Sequence, residues 1–97
     1  MLYTINKAPL GTNHIESVLR VAPTGAPILF YEDGVYAAVP AAKSAQTVIH
    51  AMSDHPIYAL DADLEARGIG HVLEGIQVIG FDGFVELVEQ HDVVPWI

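Results

Sequence analysis

The chain has 97 residues, of which 52% are hydrophobic and 16% charged, and its 12 acidic and 4 basic side chains give a formal charge of -8. One domain over residues 1–97 accounts for this length, and so apolar a composition predicts a core together with some apolar surface for a partner. The acidic balance disfavours direct binding to nucleic acid or to an anionic membrane, and no apolar run is long enough to span a bilayer.

The first third of the chain predicts two strands joined by a helix. Leu2–Ile5 is a short β-favouring run, and residues 26–31 form a continuous apolar run, which is the pattern of a strand buried on both faces. Asn13 is placed to cap the helix between them, with Glu16 as its capping-box partner. The apolar face of this helix comprises Ile15, Val18, Leu19 and Ala22.

The stretch ILFYEDGVYAAVP at residues 28–40 places two carboxylates where a strand leaves the sheet. Glu32 and Asp33 are adjacent, so on an extended segment they point to opposite sides and cannot form a shared carboxylate pair. Asp33 and Gly34 predict a turn, and a short apolar stretch follows at residues 35–39. A subunit contact is the functional role favoured for this segment.

The middle of the chain predicts a second helix and a third strand. Ser44 is placed to cap the helix, and residues 56–60 read as the strand. The helix has an apolar face comprising Ala45, Val48, Ile49 and Met52.

The last third predicts two helices that begin at aspartates. Asp61 is interpreted as the cap of a brief helix that Gly68 closes, and Asp82 as the cap of the final helix. Residues 76–79 predict a fourth strand, and residues 93–97 predict either a short strand or an apolar tail. The apolar face of the final helix comprises Phe84, Leu87, Val88 and His91.

Strands that alternate with helices predict a single compact α/β domain with a mostly parallel sheet of 4–5 strands and helices on both faces. Ligands and partners of such folds meet the sheet at the carboxyl ends of its strands. Four segments are predicted there: residues 6–11, 32–36, 61–65 and 80–83.

Cysteine is absent from the sequence. A thiolate nucleophile, a persulfide, cysteine-ligated zinc and an iron–sulfur cluster are therefore excluded for this chain. Ser53, Asp54 and His55 contain the letters of a catalytic triad, but no nucleophile elbow accompanies them. We predict no catalytic residue, cofactor or metal site in this chain.

The terminal Trp96 admits two interpretations, since a chain end usually frays unless it docks. It could plug the core, or it could contact another subunit as an interface anchor. No basic segment followed by an apolar one occurs at the start, so no signal peptide is predicted and the cytoplasm is the expected compartment.

Four segments together resemble the DsrH/TusB family: LYTINKAPL, LFYEDGVYAAV, YALDADLEARG and GFVELVEQHDVVPW. The resemblance covers nearly the whole chain and includes the terminal Trp96. It implies a DsrE-like fold and a place in a cytoplasmic heterohexamer with DsrE/TusD-like and DsrF/TusC-like subunits. Such a complex relays persulfide sulfur to a downstream acceptor protein, either for 2-thiolation of the tRNA wobble uridine or for sulfur oxidation.

Some members of the DsrH branch carry a cysteine on the first helix, and the matching position in HIESVLRVA is Val18. A relay passes sulfur by thiolate attack, so we expect this subunit to support the transfer without performing it. The interface candidates are Glu32, Asp33, Gly34, Tyr36 and Trp96. The alternative from the residues alone is a homo-oligomeric or small-molecule-binding domain that uses carboxylates at the strand ends.

Overall fold

The computed structural model describes residues 1–9 and 14–96, and within these ranges strands alternate with helices along the chain. The strands are β1 (Leu2–Ile5), β2 (Ile28–Phe30), β3 (Ile57–Leu60), β4 (Gln77–Ile79) and β5 (Val93–Trp96). The helices are α1 (His14–Val21), α2 (Ala45–Ala51), α3 (Asp61–Ala66) and α4 (Phe81–Gln90), and a 3₁₀ helix spans Glu32–Ala38. The longest of them has ten residues, and none in the described ranges has the length and hydrophobicity to cross a membrane.

The strands form one sheet in the order β4-β3-β2-β1-β5, and every neighbouring pair is parallel. The chain moves in one direction from β1 to β4 and then returns to pair β5 with the free edge of β1. Right-handed crossovers put α1, α2 and α3 on one face, whereas the reversed direction of the last crossover puts α4 on the other. The predicted α/β fold with helices on both faces is confirmed.

The two faces of the sheet carry cores of very different size. The larger core lies beneath the first three helices and the 3₁₀ helix, and Val18, Phe30 and Val48 are among its fully buried members. The smaller core lies beneath α4, where Leu87 packs with Leu2 and Leu29. Most of the stabilising apolar burial is therefore on the α1 side of the sheet.

The predicted aspartate caps are wrong. Asp61 is the first residue of α3 and Asp82 lies in the first turn of α4, while Leu60 and Gly80 occupy the cap positions without a side-chain hydrogen bond. Both carboxylates still favour the helix start, since they lie near the positive end of the helix dipole. Ser44 does occupy the cap position of α2, but its hydroxyl makes no capping bond, and the predicted cap Asn13 lies outside the described residues.

The predicted apolar faces of the helices are confirmed for α1 and only partly for α2 and α4. Ile15 and Val18 of α1 are buried. In α2 the small Ala51 takes the place expected for Ile49, which is 41% exposed. Val88 of α4 is also exposed, because a single helix over a flat sheet buries only a narrow stripe of its surface.

Residues 32–38 correct the prediction of a turn followed by a short apolar stretch. They form the 3₁₀ helix, which begins directly after Tyr31 leaves β2. The chain turns at Glu32, whose φ of 49° lies in the left-handed region, and the N–H of Gly34 donates to the carbonyl of Tyr31 at 2.9 Å. Residues 93–96 form a true strand, which settles the choice between a strand and an apolar tail.

Candidate functional site

All five strands end at the same edge of the sheet because every pair is parallel. The segments predicted to follow the strands therefore lie along one edge, and they include residues 6–9, the 3₁₀ helix, α3 and the start of α4. This carboxyl edge is the usual place for ligands and partners in open parallel sheets.

The 3₁₀ helix is seated directly on the end of β1. A Cβ atom added to Gly34 would overlap the carbonyl oxygen of Ile5 and lie 2.8 Å from its carbonyl carbon. The same carbonyl oxygen accepts the N–H of Tyr31 at 3.1 Å. Gly34 is therefore required because two backbone segments approach closely, and it is buried rather than exposed to a partner.

Arg67 ties the 3₁₀ helix to α3. Its Nε and Nη2 contact Oδ1 of Asp33 at 3.0 and 2.9 Å, and its Nη1 donates to the carbonyl of Asp63 at 3.1 Å. Nη1 also lies 3.6 Å from Oδ1 of Asp63. A guanidinium that holds one carboxylate through two nitrogens fixes orientation as well as charge, so Asp33 is engaged within the chain.

The left-handed turn at Glu32 is held by the same cluster. The N–H of Glu32 donates to Oδ2 of Asp63 at 2.7 Å, and such a bond to a carboxylate is stronger than a neutral one. It offsets the cost of about 1–2 kcal/mol for an L-residue in the left-handed region. The side chain of Glu32 remains exposed at the edge of the sheet.

Tyr36 contributes to an apolar groove beside the 3₁₀ helix. It is 39% exposed, and the groove has a volume of about 740 Å³. The lining residues are Ala8, Pro9, Asp33, Tyr36, Val39, Ala41, Ala42 and Lys43. Small side chains around a partly exposed tyrosine make a surface that another protein can approach closely.

Val18 and Trp96 lie away from this groove. Val18 is fully buried in the larger core. Trp96 pairs with Ile5 in the sheet and packs edge-on against Tyr3, with 6.1 Å between the ring centroids. Trp96 is half-buried against the larger core, so it stabilises the fold whatever its exposed part contacts.

The sequence analysis did not single out Arg67 or Asp63. The pair could have been found, since the two residues are four apart on one helix, a spacing that brings opposite charges together. Its link to Asp33 spans 34 residues and has no sequence signal. Within residues 1–9 and 14–96, no group of three or more His, Asp or Glu side chains is arranged to hold a metal ion.

Comparison with known sequences identifies one family. The DsrH family, described as DsrH like protein, matches residues 7–94. Protein TusB of Serratia proteamaculans (strain 568) is 38% identical over 92 residues, which are 94% of this chain and 94% of that protein. Protein TusB of Shigella flexneri is 35% identical over 92 residues, with the same coverage of both chains.

Comparison with solved structures extends the likeness in fold beyond these sequences. A protein of unknown function from Methanobacterium thermoautotrophicum has a TM-score of 0.77 and 17% sequence identity, and the match covers 97% of this chain and 96% of that chain. The ychN protein from E. coli has a TM-score of 0.72 and 14% identity, and the match covers 97% of both chains. At these identities the likeness concerns the fold alone.

Proposed function

This chain belongs to the DsrH family, and from that membership we propose that it is a non-catalytic subunit of a sulfur relay complex. Its partners are DsrE/TusD-like and DsrF/TusC-like chains in a cytoplasmic heterohexamer, which passes sulfur to a downstream acceptor protein. The TusB name of the relatives favours 2-thiolation of the tRNA wobble uridine over sulfur oxidation.

The absence of cysteine carries the non-catalytic part of this proposal. A persulfide relay proceeds by thiolate attack on a sulfur atom, and neither a hydroxyl nor an imidazole replaces that carrier. Val18 stands where some family members carry cysteine, and in this chain the position is sealed in the core. The sulfur-carrying groups must therefore belong to partner chains.

The groove beside the 3₁₀ helix is the surface that we assign to a partner. Tyr36 gives it an aromatic side chain with both an apolar ring and a hydroxyl, the type of residue that dominates binding at interfaces. Glu32 lies exposed nearby, and Asp33 both lines the groove and holds the 3₁₀ helix through Arg67, whereas the buried Gly34 only supports the position of that helix. Of the five interface candidates, Tyr36, Glu32 and Asp33 are therefore assigned to the contact and Gly34 to its support, while Trp96 lies away from the groove.

Co-purification tests the proposal. The tagged chain is co-expressed with one DsrE/TusD-like and one DsrF/TusC-like chain, and the complex is isolated through the tag and sized by gel filtration. We expect all three chains to elute together. If the chain elutes alone while its two partners associate with each other, the proposed function is wrong.

Tyr36→Ala tests the assignment of the groove within that complex. We expect it to reduce the yield of partner chains at least fivefold while the melting temperature of the isolated chain changes little, because the side chain is partly exposed. Ile49→Ala is the matched control, since Ile49 has similar exposure at 41% and does not line the groove. Equal losses in both variants would contradict the assignment.

A further inference from the structure

A second cleft opens at the opposite, amino-terminal edge of the sheet, between the ends of α1 and α2. Its volume is about 290 Å³, which is close to the lower end of clefts that hold small ligands, roughly 300 Å³. The lining residues are Leu19, Thr47, His50, Ala51, Asp54 and His55. None of them belongs to the groove or to the Arg67 cluster.

His55 forms the most buried polar part of this cleft, and only 6% of it is exposed. Its Nδ1 lies 2.9 Å from the carbonyl oxygen of Ala26. A carbonyl oxygen only accepts hydrogen bonds, so Nδ1 must carry the proton. In the neutral ring Nε2 then has a free lone pair. The hydrogen bond from Nδ1 to the carbonyl of Ala26 fixes the orientation of the imidazole.

The Nε2 atom of His55 has no protein partner within the described part of the chain. Among residues 1–9 and 14–96, the enclosed polar atoms that lack a hydrogen bond are Asn6 Oδ1, His14 Nδ1 and Ser44 Oγ, and Nε2 of His55 is not one of them. His55 lines the cleft and its Nδ1 is turned toward Ala26, which leaves Nε2 as the ring nitrogen that can face the cleft. A buried histidine thus presents one unused acceptor to an open space.

The electrostatic surroundings of this acceptor favour a positive charge. Asp54 lines the cleft, and its backbone carbonyl accepts the N–H of Gly25 at 2.7 Å, which holds that segment in place. The carboxyl ends of α1 and α2, where Leu19 and Ala51 lie, both border the cleft, and the carboxyl end of a helix attracts cations. No lysine or arginine lines the cleft, and the whole chain carries a formal charge of -8.

The remaining lining groups restrict the chemistry. Leu19 and Ala51 supply apolar walls for a short hydrocarbon chain, and Thr47 supplies a hydroxyl that can accept a further hydrogen bond. Ser53 is not among the lining residues, and its hydroxyl donates to the backbone carbonyl of His50 at 2.8 Å. A metal ion is disfavoured, since the described residues contain no suitable group of three ligands.

We propose that this cleft binds a primary ammonium group carried on a short alkyl chain. One ammonium N–H donates to Nε2 of His55, the carboxylate of Asp54 compensates the charge, and the alkyl chain lies against Leu19 and Ala51. The ammonium group could belong to a free aliphatic amine or to a lysine side chain of another protein. The proposal does not rest on the relay function, because the cleft shares no lining residue with the groove assigned to a partner.

The test uses the ¹⁵N-labelled full chain and two probes, n-butylammonium chloride and n-butanol, followed by two-dimensional NMR. We expect n-butylammonium to shift the backbone amides of Leu19, Thr47 and His55 in a saturable manner, and the neutral alcohol to bind at least fivefold more weakly. Asp54→Asn should weaken the amine at least fivefold. His55→Asn should do the same, since asparagine can keep the hydrogen bond to Ala26 but has no Nε2 acceptor.

Several results would overturn the proposal. The first is equal binding of the amine and the alcohol. The second is a set of amide shifts that do not saturate or that centre on the carboxyl edge of the sheet. The others are unchanged amine affinity in Asp54→Asn, and binding of zinc chloride at this cleft without binding of the amine. If His55→Asn fails to fold, Asp54→Asn alone decides. Parallel titrations with spermidine and with Nα-acetyl-lysine methylamide distinguish the two sources of the ammonium group, since the source that matches the cleft binds more tightly.

Discussion

Gly34→Ala tests how the 3₁₀ helix is seated on the sheet. The added methyl group would overlap the carbonyl oxygen of Ile5, lie 2.8 Å from its carbonyl carbon and lie 3.3 Å from Cα of Asn6. All three atoms belong to the backbone, so no side-chain rotation relieves the contact. Carbon atoms pack at about 3.5–4.0 Å, and the 3₁₀ helix must therefore move by roughly 1 Å.

The cost of this movement can be worked out from two contributions. Overpacking in a dense region costs about 1–3 kcal/mol. The shift also weakens the hydrogen bond from the N–H of Tyr31 to the carbonyl of Ile5, at 3.1 Å, which contributes about 1 kcal/mol. We expect a total loss of about 2–4 kcal/mol in the free energy of unfolding, which for a domain of this size lowers the melting temperature by about 8–30 °C.

Urea unfolding and thermal melting followed by circular dichroism measure this loss. Gly70→Ala is the matched control, because a Cβ added at Gly70 meets no atom within 4 Å, and it should change the stability by no more than about 0.5 kcal/mol. If Gly34→Ala is as stable as Gly70→Ala, the close approach to Ile5 does not constrain the chain and the reasoning is refuted.

Three further substitutions address the contact of Arg67 with Asp33, the larger core and the last strand, β5. Arg67→Gln should lower the free energy of unfolding by about 1 kcal/mol in low salt and by less in high salt, since added salt screens the partly exposed ion pair of Arg67 with Asp33. Urea unfolding at both salt concentrations measures the loss, and a loss that does not depend on salt would contradict this. Val18→Cys should fold normally and react with a thiol reagent at least about 100-fold more slowly than Glu16→Cys, because position 18 is buried; equal rates would place it at the surface. Trp96→Ala should lower the free energy of unfolding of the isolated chain by about 2 kcal/mol, below the ~3–5 kcal/mol of a fully buried aromatic residue; an unchanged melting curve together with lost assembly would make Trp96 a subunit contact alone.

Hydrophobic patterning was sufficient to predict the class of fold. The continuous apolar runs around β2 and β3 and the helical period of the apolar face of α1 can each be recognised without knowing what they pack against. The resemblance of four segments to one family was confirmed, since it rests on residue identity along the chain. The absence of cysteine needed no structure at all.

Helix ends were predicted less well than helices. Asp61 and Asp82 each lie one or two residues inside a helix rather than at its cap, because a carboxylate is favourable both at the cap and in the first turn. The burial of Val48 and the exposure of Ile49 could not be separated either. Both lie on the apolar side of α2, and only the position of the sheet decides which one is covered.

Sequence alone determined that this chain lacks cysteine, and it predicted the four α-helices and the first four strands but not the 3₁₀ helix, since composition and periodicity are local properties. The tertiary structure decided what those elements do to one another. The reversal of the last crossover brings β5 beside β1, the approach of two backbones requires Gly34, and Arg67 reaches Asp33 across 34 residues. Each depends on contacts between distant parts of the chain. These contacts exist only after the strands have paired into the sheet, and no local pattern encodes them.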